Sequence, residues 1–266
     1  MKKTKFWKMS GAGNDFVLLT GGRLGAAALK KLALRLCARK SGVGADGLLY
    51  VNRAGENAVS VRYFNSDASE AFCGNGSRCS AWWAYSSGLM KLKKFLLKTV
   101  SGELPVEIVS NESVKMRMPD VSEVKLGFRG KYPAAIETVH FLNTGVPHAV
   151  VPVKDLERLD VQGLGRALRY NKVFGPAGTN VDFVKAGRGA VAVRTYERGV
   201  EAETLACGTG LAASVVALVL SGQVSSPVAL ISRSGEKFKA WLNRAGRGAS
   251  DIYILGPAKI IYEGEI

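Results

Sequence analysis

Cys73-Gly-Asn-Gly-Ser-Arg-Cys-Ser-Ala-Trp-Trp-Ala-Tyr-Ser-Ser-Gly88 and Cys207-Gly-Thr-Gly-Leu-Ala-Ala-Ser-Val-Val-Ala-Leu-Val-Leu-Ser-Gly222 are one stretch written twice. Both copies span fifteen positions from cysteine to closing glycine. Each reads as a glycine-rich turn that feeds a helix and is stopped by Ser-Gly. A cysteine just ahead of a helix sits where unpaired N–H groups and the helix dipole favour an anion. That position predicts a lowered thiol pKa and thiolate chemistry. Two such cysteines in one chain suggest a matched pair.

The repeat extends outward. Val59-Ser-Val-Arg-Tyr-Phe-Asn65 precedes Cys73, and Val191-Ala-Val-Arg-Thr-Tyr-Glu197 precedes Cys207. Arginine and cysteine are 11 positions apart in the first copy and 13 in the second. Each half is therefore a strand, a polar loop, a cysteine turn and a helix. The period is too long for a solenoid and points to duplication. The helix after Cys207 is apolar on nearly every side, which predicts burial all round. The helix after Cys73, with Trp82, Trp83 and Tyr85, is nearly as apolar. The expected fold class is α/β of the α+β type. Two pseudo-symmetric domains are expected, each a mainly antiparallel sheet wrapped around a central apolar helix. Met118-Pro-Asp120 stops a strand and marks the boundary. It gives one domain of residues 1–118 plus 256–266, carrying Cys73, and one of 119–255, carrying Cys207.

The flanking segments fit that plan. Phe6–Met9 and Phe16–Leu19 read as strands joined by a tight turn or bulge at Gly11-Ala-Gly-Asn-Asp15. Residues 24–39 carry Leu29, Leu32, Ala33, Leu36 and Cys37 at helical spacing, and Cys37 is expected in the core. Ser41-Gly-Val-Gly-Ala-Asp-Gly47 lacks the Lys-Ser/Thr ending of a P-loop and is followed by a strand. Strands are expected at 48–51, 58–65, 95–100, 104–110, 113–118, 137–143, 149–153, 180–185, 190–196, 228–233, 236–243, 251–254 and 258–262. A short helix is expected at 156–170.

The composition sets bounds. The chain has 266 residues, 47% hydrophobic and 22% charged, enough apolar surface for a real core. The net charge of +15 suits an anionic partner. No basic run interleaved with exposed aromatics accompanies it, so no nucleic-acid role is expected. No segment reaches the roughly 18–20 apolar residues of a membrane helix, and no membrane association is expected. Met1-Lys-Lys-Thr-Lys-Phe-Trp-Lys8 has a charged start but no apolar run behind it, so it is not read as a leader. Four cysteines are too few for a disulfide scaffold, and a reducing cytoplasm is the expected location. Cys79 points to another face of its helix than Cys73 and is expected to be inert core.

Suppose the two domains face each other about a pseudo-twofold axis. Both helix N-termini then meet at one cleft, with Cys73 and Cys207 on opposite sides of a substrate. Inversion at a carbon acid needs that arrangement, because one thiolate removes a proton and the other thiol returns one to the opposite face. Backbone N–H groups of Gly74-Asn75 and Gly208-Thr209 are suited to hold the carboxylate and its growing enediolate charge. No lysine motif suggests a pyridoxal Schiff base, and no His/Cys spacing suggests a metal. No cofactor is expected. A redox pair formed by the two thiols is the competing reading.

Motifs along nearly the whole chain resemble the diaminopimelate epimerase family. They are Lys8-Met-Ser-Gly-Ala-Gly-Asn-Asp-Phe16, Gly42-Val-Gly-Ala-Asp-Gly47 and Phe64-Asn-Ser-Asp-Ala-Ser-Glu70. Further on come Gly145-Val-Pro-His148, Gly178-Thr-Asn-Val181, Tyr196-Glu-Arg-Gly199 and Glu203-Thr-Leu-Ala-Cys207. The resemblance implies cofactor-independent interconversion of LL- and meso-2,6-diaminopimelate in lysine and peptidoglycan synthesis, and commonly a homodimer. It implies that Cys73 and Cys207 are the acid/base pair and that Gly74, Asn75, Gly208 and Thr209 hold the reacting carboxylate. It implies substrate contacts from Asn14, Asn65, Asn180, Glu197 and Arg198, and tuning of the thiols by His148 and Glu197. Val146 stands where the family often has Asn, and Ala68 where Gly is usual. The loop before Cys73 is one residue short and that before Cys207 one residue long. These departures leave room for a racemase of other amino acids, and for a non-catalytic ligand-binding or redox-sensing protein of the same fold.

Overall fold

A computed structural model describes residues 4–246 and 248–266. The Met1-Lys2-Lys3 start used in reading the N-terminus lies outside them. The chain divides into two units, Met1–Arg117 with Gly256–Ile266, and Met118–Leu255. In chain order the first holds β1 (Lys5–Gly11), β2 (Asn14–Thr20), α1 (Ala26–Cys37), β3 (Gly47–Arg53), β4 (Ala58–Asn65), β5 (Glu70–Ala71), α2 (Gly74–Ser86), β6 (Lys94–Thr99), β7 (Gly102–Ser110) and β8 (Ser113–Arg117). The second holds β9 (Ser122–Lys125), β10 (His140–Asn143), β11 (Pro147–Pro152), α3 (Val161–Arg169), a 3₁₀ turn at Lys172–Phe174, β12 (Asn180–Ala186), β13 (Val191–Glu197), β14 (Ala202–Thr204), α4 (Gly208–Leu220), β15 (Val228–Ile231), β16 (Lys237–Ala245) and β17 (Gly248–Pro257). The last strand, β18 (Lys259–Glu265), belongs with the first unit.

The pairing is mainly antiparallel, and the two units share one topology. In the first, β1–β2 is antiparallel, β2–β3 parallel, β3–β4 antiparallel, β4–β6 parallel, and β6–β7–β8 antiparallel. In the second, β10–β11 is antiparallel, β11–β12 parallel, β12–β13 antiparallel, β13–β15 parallel, and β15–β16–β17 antiparallel. Each parallel step is bridged by a helix, as parallel neighbours require. Thus α1 and α3 bridge the first parallel step of their units, and α2 and α4 the second.

Burial separates the two kinds of helix. One stripe of α1 (Leu29, Ala33, Leu36, Cys37) meets the sheet. In contrast, α4 is buried along nearly its whole length and touches β10, β11, β12, β13 and β16. Likewise α2 touches β1, β2, β3, β4, β7, β8 and β18. A helix enclosed on all sides gains from apolar residues on all sides. Both central helices end alike, with serine caps at Ser87 and Ser221 and left-handed Gly88 (φ 79°) and Gly222 (φ 77°).

Local chemistry explains the remaining boundaries. Ala12 (φ 57°) and Gly13 (φ 100°) form a two-residue turn with both φ positive, the geometry that matches strand twist in a hairpin. The helix expected from residue 156 begins only at Val161. Asp155 Oδ1 accepts the N–H groups of Glu157 and Arg158 in a turn, and Asp160 caps the helix by accepting from Gly163 N at 2.8 Å. Among the described residues, no helix is long and apolar enough to cross a membrane.

Ala68 takes a left-handed φ of 68° in the turn after β4. A Cβ there costs about 1–2 kcal/mol, part of which glycine's greater freedom when unfolded takes back. In urea titrations, Ala68→Gly is expected to leave stability unchanged or raise it by up to about 1 kcal/mol. Leu218→Ala, inside the enclosed α4, is expected to lose about 2–5 kcal/mol.

Candidate active site

In the second unit the site grows from the register of three strands. His148 on β11 lies opposite Asn180, and Asp182 on β12 lies opposite Thr195 on β13. All three side chains turn inward beneath α4 and are buried. Thr195 Oγ1 donates to Asp182 Oδ1 at 2.8 Å, and Asp182 Oδ2 lies 2.7 Å from His148 Nδ1. His148 Nε2 lies 3.1 Å from Thr209 Oγ1, which is 3.4 Å from Cys207 Sγ. A carboxylate only accepts, so Nδ1 carries the proton facing Asp182. In neutral imidazole Nε2 then accepts from the Thr209 hydroxyl, whose oxygen can accept from the Cys207 thiol. The line connects Cys207 through Thr209 to the buried His148–Asp182 pair.

Gly210 allows this close approach. A Cβ there would lie 2.2 Å from Asp182 Oδ1. The lowered thiol pKa expected from the helix terminus is overturned at Cys207, whose thiol is pushed well above its ordinary value. Burial is the main cause, and the carboxylates of Glu197 and Asp182 add to it. The Gly210 N–H, and the Thr209 hydroxyl when it turns its proton to the sulfur, offset only part of the rise. In this site desolvation outweighs the helix dipole.

The first unit supports its cysteine differently. Cys73 caps α2 in an extended conformation (φ −136°, ψ 112°), close to that of Cys207 (φ −113°, ψ 112°). Its Sγ accepts from Gly76 N at 3.4 Å. It borders a cavity of about 320 Å³ also lined by Tyr63, Glu70, Ser77, Lys98 and Thr99. Asn75 Nδ2 donates to Asn14 Oδ1 at 2.6 Å, and Asn14 Nδ2 donates to Asp46 Oδ2 at 3.0 Å. Asp46 belongs to a charged group with Asp15, Lys8 and Arg39. Burial raises the Asp15 pKa, but bonds from Arg39 and Lys8 prevail and hold the carboxyl below its ordinary range. Cys37 and Cys79 are buried, and burial pushes their thiols up to about 11 and about 12 respectively.

The other candidates lie at strand ends. Asn65 closes β4, accepting from Tyr63 Oη at 2.7 Å and donating to Ser69 Oγ at 2.9 Å. In the second unit Asn180 Oδ1 accepts from Arg198 N at 2.8 Å, and its Nδ2 donates to the Pro147 carbonyl at 3.0 Å. Glu197 Oε1 accepts from the Thr204 hydroxyl. Thus Cys73, Asn75 and Asn14 gather in one unit. Cys207, Thr209, His148 and Glu197 gather in the other, near the Asn180–Arg198 contact.

The family model for diaminopimelate epimerase matches residues 6–124 and 140–261. The chain belongs to the diaminopimelate epimerase family. A diaminopimelate epimerase from Aquifex aeolicus is 37% identical over 279 aligned positions, covering 98% of this chain and 97% of that protein. One from Methanocella arvoryzae is 36% identical and covers 100% and 98%. Two solved structures share the fold. A PhzF-family phenazine biosynthesis protein from Bacillus anthracis has a TM-score of 0.79 at 17% identity, covering 100% of this chain and 99% of its own. A probable proline racemase from Agrobacterium radiobacter K84 has a TM-score of 0.76 at 17% identity, covering 99% and 92%.

Membership in the diaminopimelate epimerase family places the chain among epimerases and racemases of that superfamily. Sequence reasoning missed Asp182, Thr195 and Arg78. Asp182 left a signal, since it is a charged residue on an inward position between Val181 and Phe183 of a buried strand. Glu197→Gln removes a negative charge that disfavours the Cys207 thiolate, so that thiol is expected to ionise at lower pH. Ultraviolet thiolate absorbance during a pH titration, taken as the difference from a Cys207→Ser background, measures the shift.

Proposed function

We propose that the protein interconverts LL- and meso-2,6-diaminopimelate without a cofactor, using Cys73 and Cys207 as a thiolate/thiol pair. One observation carries the reading. Each unit presents a cysteine, in nearly the same backbone conformation, at the N-cap of an enclosed helix. The chemistry requires both N-termini to converge on one substrate carbon.

One sulfur takes the α-proton as the C–H bond breaks, and the electron pair moves into the carboxylate as an enediolate. The other S–H bond then breaks and its proton forms the new C–H bond on the opposite face. The two sulfurs exchange protonation states, and the reverse reaction exchanges them back. In this reading the first-turn N–H groups of Gly74, Asn75, Gly208 and Thr209 hold the enediolate, as helix N-termini hold anions. Donors of this kind are worth about 10²–10³ in rate. The line through Thr209 to His148 lets Cys207 lose or regain its proton despite its burial.

Asn14, Asn65, Asn180, Glu197 and Arg198 supply the substrate contacts. Arg198 offers a planar fork to the distal carboxylate. His148 and Glu197 tune the Cys207 thiol. The product would enter lysine and peptidoglycan synthesis in a reducing cytoplasm, with the protein acting as a homodimer. Val146 supplies no polar side chain where the family often has Asn, which favours a second reading, a broader amino-acid racemase.

Solvent deuterium uptake at Cα under reducing conditions separates the readings. LL-diaminopimelate is expected to exchange and epimerise. Cys73→Ser and Cys207→Ser are each expected to lose net epimerisation by at least about 10²-fold. Exchange with lysine or glutamate but not diaminopimelate would refute the substrate. No exchange with any amino acid would refute the enzyme.

A further inference from the structure

Among the described residues Arg78 is the largest wholly buried side chain, and it lies on α2 five residues after Cys73. A buried guanidinium is costly unless its surroundings are arranged for it. Its Nη2 donates to Asn75 Oδ1 at 2.5 Å. From there the line runs through Asn75 Nδ2 to Asn14 Oδ1 and through Asn14 Nδ2 to Asp46.

The two ends of this line are chemically unambiguous. A guanidinium only donates, and a carboxylate only accepts. Asn75 must therefore turn its oxygen to Arg78 and its nitrogen to Asn14. Asn14 must turn its oxygen to Asn75 and its nitrogen to Asp46. Neither amide can flip without setting donor against donor or acceptor against acceptor.

Among the described residues the second unit shows no such line. Ala212 occupies the position five residues after Cys207. Its acid–imidazole line comes from strands instead, as His148, Asp182 and Thr195. Strand pairing shows the exchange. His148 faces Asn180 as Phe16 faces Gly47, and Thr195 faces Asp182 as Tyr63 faces Leu49. The first unit thus holds Phe16, Leu49 and Tyr63 where the second holds its acid–imidazole line, and it carries its buried charge on the helix.

We propose that Arg78 is a positioning residue for the Cys73 half-site, where it dictates through Asn75 which atoms Asn14 presents to substrate. The proposal rests on the assignment of Asn14 as a substrate contact. Arg78 itself touches no substrate. Its work is to hold the Asn75 end of a line whose Asn14 end Asp46 holds, so that one orientation of two successive amides is the only fully satisfied one.

The test uses the full chain with Arg78→Met, Arg78→Lys, Asn14→Ala and the Arg78→Met/Asn14→Ala double variant. Side-chain amide resonances of Asn14 and Asn75 are assigned by Asn14→Ala and Asn75→Ala. In Arg78→Met the Asn14 pair is expected to shift or broaden, although Arg78 makes its bond to Asn75. In Arg78→Lys, which restores a donor-only cation, the pair is expected near its native position. With LL-diaminopimelate, Arg78→Met is expected to raise KM about tenfold more than it lowers kcat, a split of about 1.4 kcal/mol. The double variant is expected to be little worse than Asn14→Ala alone.

An unchanged Asn14 resonance in folded Arg78→Met, or fully additive costs in the double variant, overturns the proposal. If Arg78→Met does not fold, Arg78→Gln, whose amide is no longer donor-only, takes its place, and an unchanged Asn14 pair there overturns the proposal. An inactive wild type would refute the assigned reaction, while the resonances still report on Arg78 independently.

Discussion

Each unit depends on a helix that is enclosed by strands yet must leave its first turn open. Enclosure removes water from the helix and makes its apolar surface stabilising. The same enclosure makes the unpaired N–H groups of the first turn expensive unless something negative or polar meets them. Cysteine occupies the N-cap of both helices, and at Cys73 its side chain answers that need. It is small and accepts weakly, as the Gly76 N contact to Cys73 Sγ shows, and it can carry a negative charge. Glycines at 76 and 210 then let a strand approach the turn closely, against Leu49 in one unit and Asp182 in the other.

Duplication supplied two copies of this device, and divergence made them different. The strand order, the parallel crossovers and the helix caps are held in common. The supports behind the sulfurs are not. Under Cys207 an acid, an imidazole and a hydroxyl form a line that ends on the thiol. Beside Cys73 a guanidinium and two amides form a line that ends on a cluster of paired acids and bases. A pair that exchanges protons in both directions needs equal sulfurs but not equal surroundings.

Much of the fold was legible in the sequence because burial leaves periodic marks. The apolar run of α4, the striped α1 and the alternating strands each announced themselves. Short β5, β9 and β14 did not, because two to four residues carry too little pattern. The start of α3 was misplaced because Asp155 and Asp160 both read as helix-starting residues and only the fold chose between them. The two cysteine turns were legible because they are repeated. Arg78 was not, because a lone arginine in a helix reads as a solvated residue until its burial is known. The thiol pKa at Cys207 was read with the wrong sign, since helix position is visible in sequence and desolvation is not.

The sequence by itself determined that this chain holds two related halves, each with a cysteine capping an apolar helix. Periodicity and turn chemistry act over a few residues, so they are written in the order of the chain. Only the tertiary structure decided which polar groups stand behind those cysteines. His148, Asp182 and Thr195 come from three strands, and Asn14, Asp46 and Arg78 from the start of a strand, a loop and a helix. Their meeting depends on strand register and on the exclusion of water, and both are properties of the packed molecule.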